Sequence, residues 1–232
     1  MFSAFWSGSD GPGIPKDAPK KTGLALFGDI LKRESWELFK LNLMVVVTSL
    51  PIVTIPAARS AQASVCMAMV EDRNHYLWLD FWESFRRSFW RATTAGWIVY
   101  LAMMVAGYVA YLYAQAAMHL APYYIAPMGV AAAVLVFLLV MNCHLYPLLT
   151  IKRLSVREAL SLSAQAALIN SRAGLLAVTA DIVVWGVTMM FYPMSSFLIF
   201  GLNFAFCGLV AAFVAHDVAE QLTGGLQEKA TA

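Results

Sequence analysis

Between Arg91 and Lys152 the chain contains no Asp, Glu, Lys or Arg. An α-helix needs about 20 predominantly apolar residues to cross roughly 30 Å of hydrocarbon, so this stretch is long enough for two crossings. His119, Pro122, Tyr123 and Tyr124 interrupt it with a turn and interfacial aromatics, which predicts spans at about 95–117 and 125–147. From Ala173 to His216 the only formal charge is Asp181, and Pro193-Met194-Ser195-Ser196 divides that stretch into expected spans at about 174–192 and 197–216. Helices are the form expected, because a lone strand leaves its backbone groups unpaired in lipid. The runs are also too long and too unalternating for barrel strands.

Composition agrees with this reading. Only 13% of the 232 residues are charged and the mean hydropathy is +0.67, whereas an average soluble domain carries roughly 25% charged residues. A single bundle in lipid, over about residues 23–220, is the expected domain. The segment Met1–Lys21, rich in Gly, Pro and Ser, lacks the apolar core of a secretory signal. Residues 1–22 are expected as a flexible cytoplasmic tail and 221–232 as a second cytoplasmic tail. No basic run is long enough to suggest nucleic acid.

The stretch from Leu41 to Val70 carries only Arg59 and is broken by Pro51 and Pro56. It reads either as two short helices, about 39–54 and 57–71, or as one kinked helix followed by a re-entrant segment. Sidedness narrows the choice. The loops at 71–91 and 152–172 and the N-terminal tail, with Lys16, Lys20, Lys21, Lys32, Arg33 and Lys40, are rich in Lys and Arg and belong inside. The chain must therefore enter and return between residues 40 and 71. The expectation is an all-α polytopic bundle of about six membrane helices with both termini cytoplasmic. Ser60, Ser64 and Ala68 recur at four-residue spacing, a small-residue strip suited to close helix contact.

Two further segments are amphipathic. Leu26–Arg33 leads through Trp36 and Phe39 into the first membrane segment. Asp80-Phe81-Trp82-Glu83 reads as a capping box that opens a helix in the headgroup plane. Trp78, Phe81, Trp82, Phe85, Arg86 and Arg87 are the expected contacts with lipid headgroups or a cytoplasmic partner. A second box, Ser155-Val156-Arg157-Glu158, starts the helix of the 152–172 loop.

No catalytic constellation is present in the sequence: no HExxH, no GxSxG, no Gly-rich phosphate loop and no paired carboxylates in an apolar setting. The three cysteines lie in apolar runs without metal-ligand spacing. The expectation is a protein that is not an enzyme and takes no cofactor or metal. The candidate substrate-binding residues are Arg59, His144 and Asp181, because ionisable groups within apolar spans are costly unless paired or functional. An Asp181–His144 contact is geometrically open, with Asn142 and Asn203 as alternative partners. Arg59 reads either as the outer cap of the second short helix or, if the segment is re-entrant, as a partner for Asp181. Tyr108, Tyr111 and Tyr113 with Gln115 read either as an external vestibule or as an interfacial belt.

Lys40-Leu41-Asn42-Leu43, Ser49-Leu50-Pro51-Ile52-Val53-Thr54-Ile55 and Asp80–Phe89, together with Gly11-Pro12-Gly13-Ile14 and Lys20-Lys21, resemble the YesL-like family of bacterial integral membrane proteins. The resemblance covers about residues 11–115 and continues more weakly through Tyr146-Pro147-Leu148-Leu149. Pro56 departs from the glycine usual in the family. The family has no assigned catalytic residues. The resemblance implies a bacterial cytoplasmic (inner) membrane and a setting beside carbohydrate ABC importers. The first expectation is therefore a non-enzymatic accessory or regulatory subunit of such a system, in contact with its permease and ATPase subunits and with the lipid bilayer. The alternative is an independent small-solute transporter or channel-like protein with a polar site in the bundle.

Overall fold

A computed structural model describes residues 24–119, 121–151, 154–193 and 199–231. Every regular element among them is helical. The order is α1 (Leu24–Arg33), α2 (Ser35–Thr48), a 3₁₀ turn (Ile52–Thr54), α3 (Ile55–Val70), α4 (Leu77–His119), a second 3₁₀ turn (Pro122–Tyr124), α5 (Ile125–Ile151), α6 (Val156–Ile169), α7 (Ser171–Met190), a π segment (Ile199–Asn203) and α8 (Phe204–Thr231). The expected N-terminal tail, residues 1–22, lies outside the described residues, as do Met194–Ser196 of the expected break. Residues 221–231, expected as a tail, continue α8.

Among the described residues, three helices are long and apolar enough to cross a membrane: Leu77–His119, Pro122–Thr150 and Ser171–Met190. A shorter apolar stretch covers Gly201–His216. The segments expected at 39–54 and 57–71 are helices of 14 and 16 residues. At 1.5 Å per residue they measure about 21 and 24 Å, each short of a roughly 30 Å hydrocarbon layer.

The 43-residue α4 corrects two expectations. It is about 64 Å long, and the helix expected to lie in the headgroup plane is continuous with the span expected at 95–117. Asp80 does not open it. The helix starts at Leu77, and the Asp80 carboxylate reaches back to accept the Tyr76 N–H at 2.9 Å. Burial sets the start: Leu77, Phe81, Ser84, Ser88, Ala92, Ala95, Gly96 and Val99 form one inward stripe along the helix.

That stripe is the floor for α3. Ser60 and Ser88 share a hydrogen bond at 3.1 Å, and Ser88 also donates to the Ser84 carbonyl at 2.7 Å. Pro56 presses on Gly96, where a Cβ would sit 2.4 Å from the Pro56 Cβ. The expected strip of Ser60, Ser64 and Ala68 thus faces a neighbour, with Ser60 and Ala68 fully buried. The α2–α3 hairpin ends level with Trp97, whose indole N–H donates to the Val53 carbonyl at 3.3 Å. From there α4 continues 22 residues, about 33 Å, to His119. Between residues 100 and 139, Ala131 is the sole buried side chain among the described residues. These outer parts of α4 and α5 pack mainly on each other and end in a Tyr113–Tyr124 stack at 6.3 Å.

The amphipathic helix α1 packs one face into the core. Ile30 is buried, and Phe27 packs edge-on against Phe206 and Phe213 of α8, both at 5.7 Å. Arg33 pairs with Glu34 at 2.9 Å and with Asp72 at 2.8 Å, tying the α1–α2 junction to the α3–α4 turn. Asp72 holds the left-handed position after α3 (φ 52°). There the Arg73 N–H returns to the Ala68 carbonyl, the closing bond of a Schellman-type cap. The Ser155 box forms as the sequence predicts, with both reciprocal bonds present. Those bonds from Ser155 hold the Glu158 carboxyl below its usual value.

Gly96→Ala is expected to lower the unfolding temperature of the detergent-solubilised protein, because the new methyl meets a rigid proline ring and the Tyr146 hydroxyl. Overpacking of this kind costs about 1–3 kcal/mol. Gly186→Ala is the internal comparison. Nothing lies within 4 Å of its Cβ position, so it should be neutral or stabilising by up to about 1 kcal/mol.

Candidate functional site

Four helices place polar groups around Arg59, which stands in the second turn of α3. Its guanidinium carbon stands 6.0 Å from the centre of the Tyr146 ring, a distance at which a cation is attracted to the aromatic face. Tyr100 of α4, Tyr146 of α5, Asp181 of α7 and Cys207 of α8 lie within its electrostatic range. The Tyr146 hydroxyl donates to the Tyr100 hydroxyl at 2.8 Å. It also lies 2.8 Å from the position a Gly96 Cβ would take, so the same close approach that docks α3 admits this hydroxyl.

The Arg59–Asp181 pairing, one of the two readings of Arg59, is not made as an ion pair. No Arg59–Asp181 ion pair within 4.0 Å occurs among the described residues. The Cys207 thiol neighbours the Asp181 carboxyl, and the buried Asp181 Oδ1 has no hydrogen-bond partner. His144 does not join Asp181. It is fully buried, uses Nδ1 on the Val140 carbonyl at 2.9 Å, and leaves Nε2 without a partner. Its ring lies 3.1 Å from the Cβ position of Gly174, on the first turn of α7. Asn142 Oδ1 is also buried and without a partner. Asn203, the other alternative for Asp181, donates to Thr188 Oγ1 at 2.8 Å.

Asn203 belongs to a second polar group that the sequence reading did not assemble. The π segment at the head of α8 breaks the regular backbone ladder, and apolar surroundings provide no water to repair it. Side-chain amides take over. Asn42 Oδ1 accepts the Ala205 N–H at 3.0 Å, and the Gln62 amide donates to the Phe204 carbonyl. Gly208 leaves room for Gln62: a Cβ there would lie 2.1 Å from its Nε2. Amides isolated in the apolar runs 41–54 and 57–70 were the available signal. Lys40, read as a charge in the cytoplasmic tail, is instead buried in the core and bonded to Glu37 at 2.6 Å.

The expected headgroup or partner contacts divide. Phe81 is fully buried in the core beneath α4, not on an outward face, and Trp82 and Phe85 pack partly against the same core. Trp78 is half exposed, and Arg86 and Arg87 are exposed. The rings form a ladder along α4: Trp78–Trp82 at 5.7 Å, Trp82–Phe85 at 5.5 Å, Phe85–Phe89 at 5.5 Å and Phe89–Trp90 at 5.3 Å. Leu79 and Trp90 add exposed apolar surface, 61% and 77% accessible. Beside this stretch a cleft of about 500 Å³ opens between α3, α4 and the end of α5, lined by Glu71, Arg73, Asp80, Glu83 and Arg87 among others. Tyr108 and Tyr111 are exposed near the far end of α4.

Residues 38–111 match the family described as "Protein of unknown function, DUF624", in agreement with the resemblance to YesL-like proteins. The match begins within α2, covers α3 and reaches Tyr111 of α4, so it includes Arg59 and Tyr100 but not Tyr146 or Asp181. No curated protein and no solved structure matches the chain.

Asn42→Ala should leave the Ala205 N–H buried without an acceptor, a loss of about 1–3 kcal/mol. The check is thermal unfolding in detergent, with Leu43→Ala, a partly exposed neighbour on α2, as the reference. Equal unfolding temperatures for the two variants would show that the amide clamp contributes nothing.

Proposed function

We propose that this chain, whose residues 38–111 carry the DUF624 region, is a non-enzymatic accessory or regulatory subunit of a solute import system in the bacterial inner membrane. The observation that carries the reading is the first third of α4. Residues 77–91 hold Asp80, Glu83, Arg86, Arg87 and Arg91, charges too costly to place in hydrocarbon. This stretch, about 22 Å long, therefore stands on the cytoplasmic side as a rigid continuation of a membrane helix. It presents Trp78, Leu79, Trp90 and two arginines outward. Exposed aromatic and arginine side chains on a stiff element are what protein interfaces are built from. The resemblance to a family set beside carbohydrate ABC importers names the partners: the permease and its ATPase.

In this reading the membrane is crossed four times, by α4, α5, α7 and the apolar start of α8. The α2–α3 hairpin enters from the cytoplasmic side and returns. Its short helices and its tip level with Trp97 support a re-entrant disposition over two full crossings, and both termini are then cytoplasmic.

Two measurements test the proposal. Gently solubilised wild-type protein is expected to co-purify with a permease and ATPase, and Trp78→Ala/Leu79→Ala/Arg86→Glu is expected to lose them while unfolding at the wild-type temperature. Retention of both partners by that variant would sink the docking role. For topology, Ile52→Cys at the hairpin tip should resist a membrane-impermeant thiol reagent added outside intact cells, whereas Pro122→Cys should react. External labelling of Ile52→Cys would mean that the hairpin crosses.

A further inference from the structure

Three members of the polar group around Arg59 keep unused hydrogen-bonding capacity among the described residues. Its guanidinium, with five N–H donors, makes no hydrogen bond or ion pair among the described residues. Tyr100 accepts from Tyr146, which leaves its own hydroxyl proton to donate elsewhere. Asp181 keeps a buried oxygen without a donor. A partly exposed guanidinium and a carboxyl with one buried, unpartnered oxygen thus lie within electrostatic range of each other, without a direct ion pair between them among the described residues. The buried Asp181 oxygen is the costly element, and a bridging cationic donor relieves it.

We infer that Arg59, Tyr100 and Asp181 form a binding site for a small zwitterion of the amino-acid class. The carboxylate is received by Arg59 and the Tyr100 hydroxyl, and the ammonium by Asp181. The charge balance selects this class. A carboxylate alone satisfies Arg59 and leaves Asp181 repelled and unpaired, while an amine alone does the reverse. An uncharged polyol supplies hydrogen bonds but neutralises neither side chain. A guanidinium and a carboxylate joined by a fork of N–H donors make the stronger, directional contact, so Arg59 sets the orientation. The aromatic faces of Tyr146 and Tyr100 supply an apolar wall. This site is independent of the docking face on residues 77–91, and either can fail without the other.

The test uses the full chain in nanodiscs and a matched panel: L-alanine, propionate and ethylamine; L-leucine, 4-methylpentanoate and isopentylamine; and glycerol. At least one zwitterion should raise the unfolding temperature in a concentration-dependent way, with its matched acid and amine at least ten-fold weaker. Arg59→Gln and Asp181→Asn should each weaken the zwitterion at least ten-fold. Tyr100→Phe, which keeps the ring and removes only the hydroxyl, serves if either charge variant does not fold, and should weaken it several-fold. The proposal is overturned if no zwitterion binds, if acid, amine or glycerol binds as well, or if these variants bind as the wild type does.

Discussion

The contact between Pro56 and Gly96 governs how the molecule assembles. Helices in lipid gain no hydrophobic drive from meeting each other, so they associate through close packing and hydrogen bonds. Only a residue without a Cβ lets the proline ring and the Tyr146 hydroxyl reach the α4 backbone at one point. That approach seats α3 on the serine-lined stripe of α4 and brings α5 alongside. The consequences follow the turns of α3. One turn after Pro56, Arg59 stands over Tyr146, and nearly one turn later Gln62 reaches α8. A single missing methyl thus positions both the charged cluster and the amide clamp.

The two polar groups differ in how completely they satisfy themselves. Around the π segment the accounting nearly closes: Asn42, Asn203, Thr188 and the Gln62 amide nitrogen each have a counterpart, and Gln62 Oε1 alone of this group is buried without one among the described residues. Hydroxyls in the spans behave similarly, as Thr48, Thr179 and Thr188 bond back to carbonyls three or four residues earlier. Between α5 and α7 the accounting stays open, with Asn142, His144 and Asp181 each retaining a buried atom without a partner. Closed networks specify one packing. Open ones in an apolar interior carry a standing penalty that a bound molecule removes.

Charge-free length made most of the fold legible. It located the apolar parts of α4, α5 and α7, and a local capping motif located the start of α6. Three features were beyond its reach for physical reasons. Asp80-Phe81-Trp82-Glu83 has the letters of a capping box, but the start of a helix depends on what is buried beneath it, and Leu77 and Phe81 are core residues. The same fact removed Phe81 from the outward face, because an aromatic residue looks alike in sequence whether lipid or protein covers it. The hairpin's depth was undecided because two prolines announce a turn without saying how far along α4 it lies. The Arg59–Tyr146–Tyr100 grouping draws on three helices whose pairing no single segment encodes.

The extent of the DUF624 match bears on which parts act together. Residues 38–111 contain both sides of the Pro56–Gly96 contact, the charged first third of α4 and the cationic half of the polar cluster. Tyr146, Cys207 and Asp181 lie beyond it. The hairpin and α4 therefore form the mechanical unit: a stiff helix about 64 Å long, braced on one side by a wedge that stops near its middle. Helix α5 brings Tyr146 to Arg59, and α3 is fastened to α4 by the serine seam. Beyond the seam, α4 runs without a break into the exposed aromatic ladder. One continuous helix thus carries both Tyr100 of the polar cluster and the exposed Trp78 and Trp90.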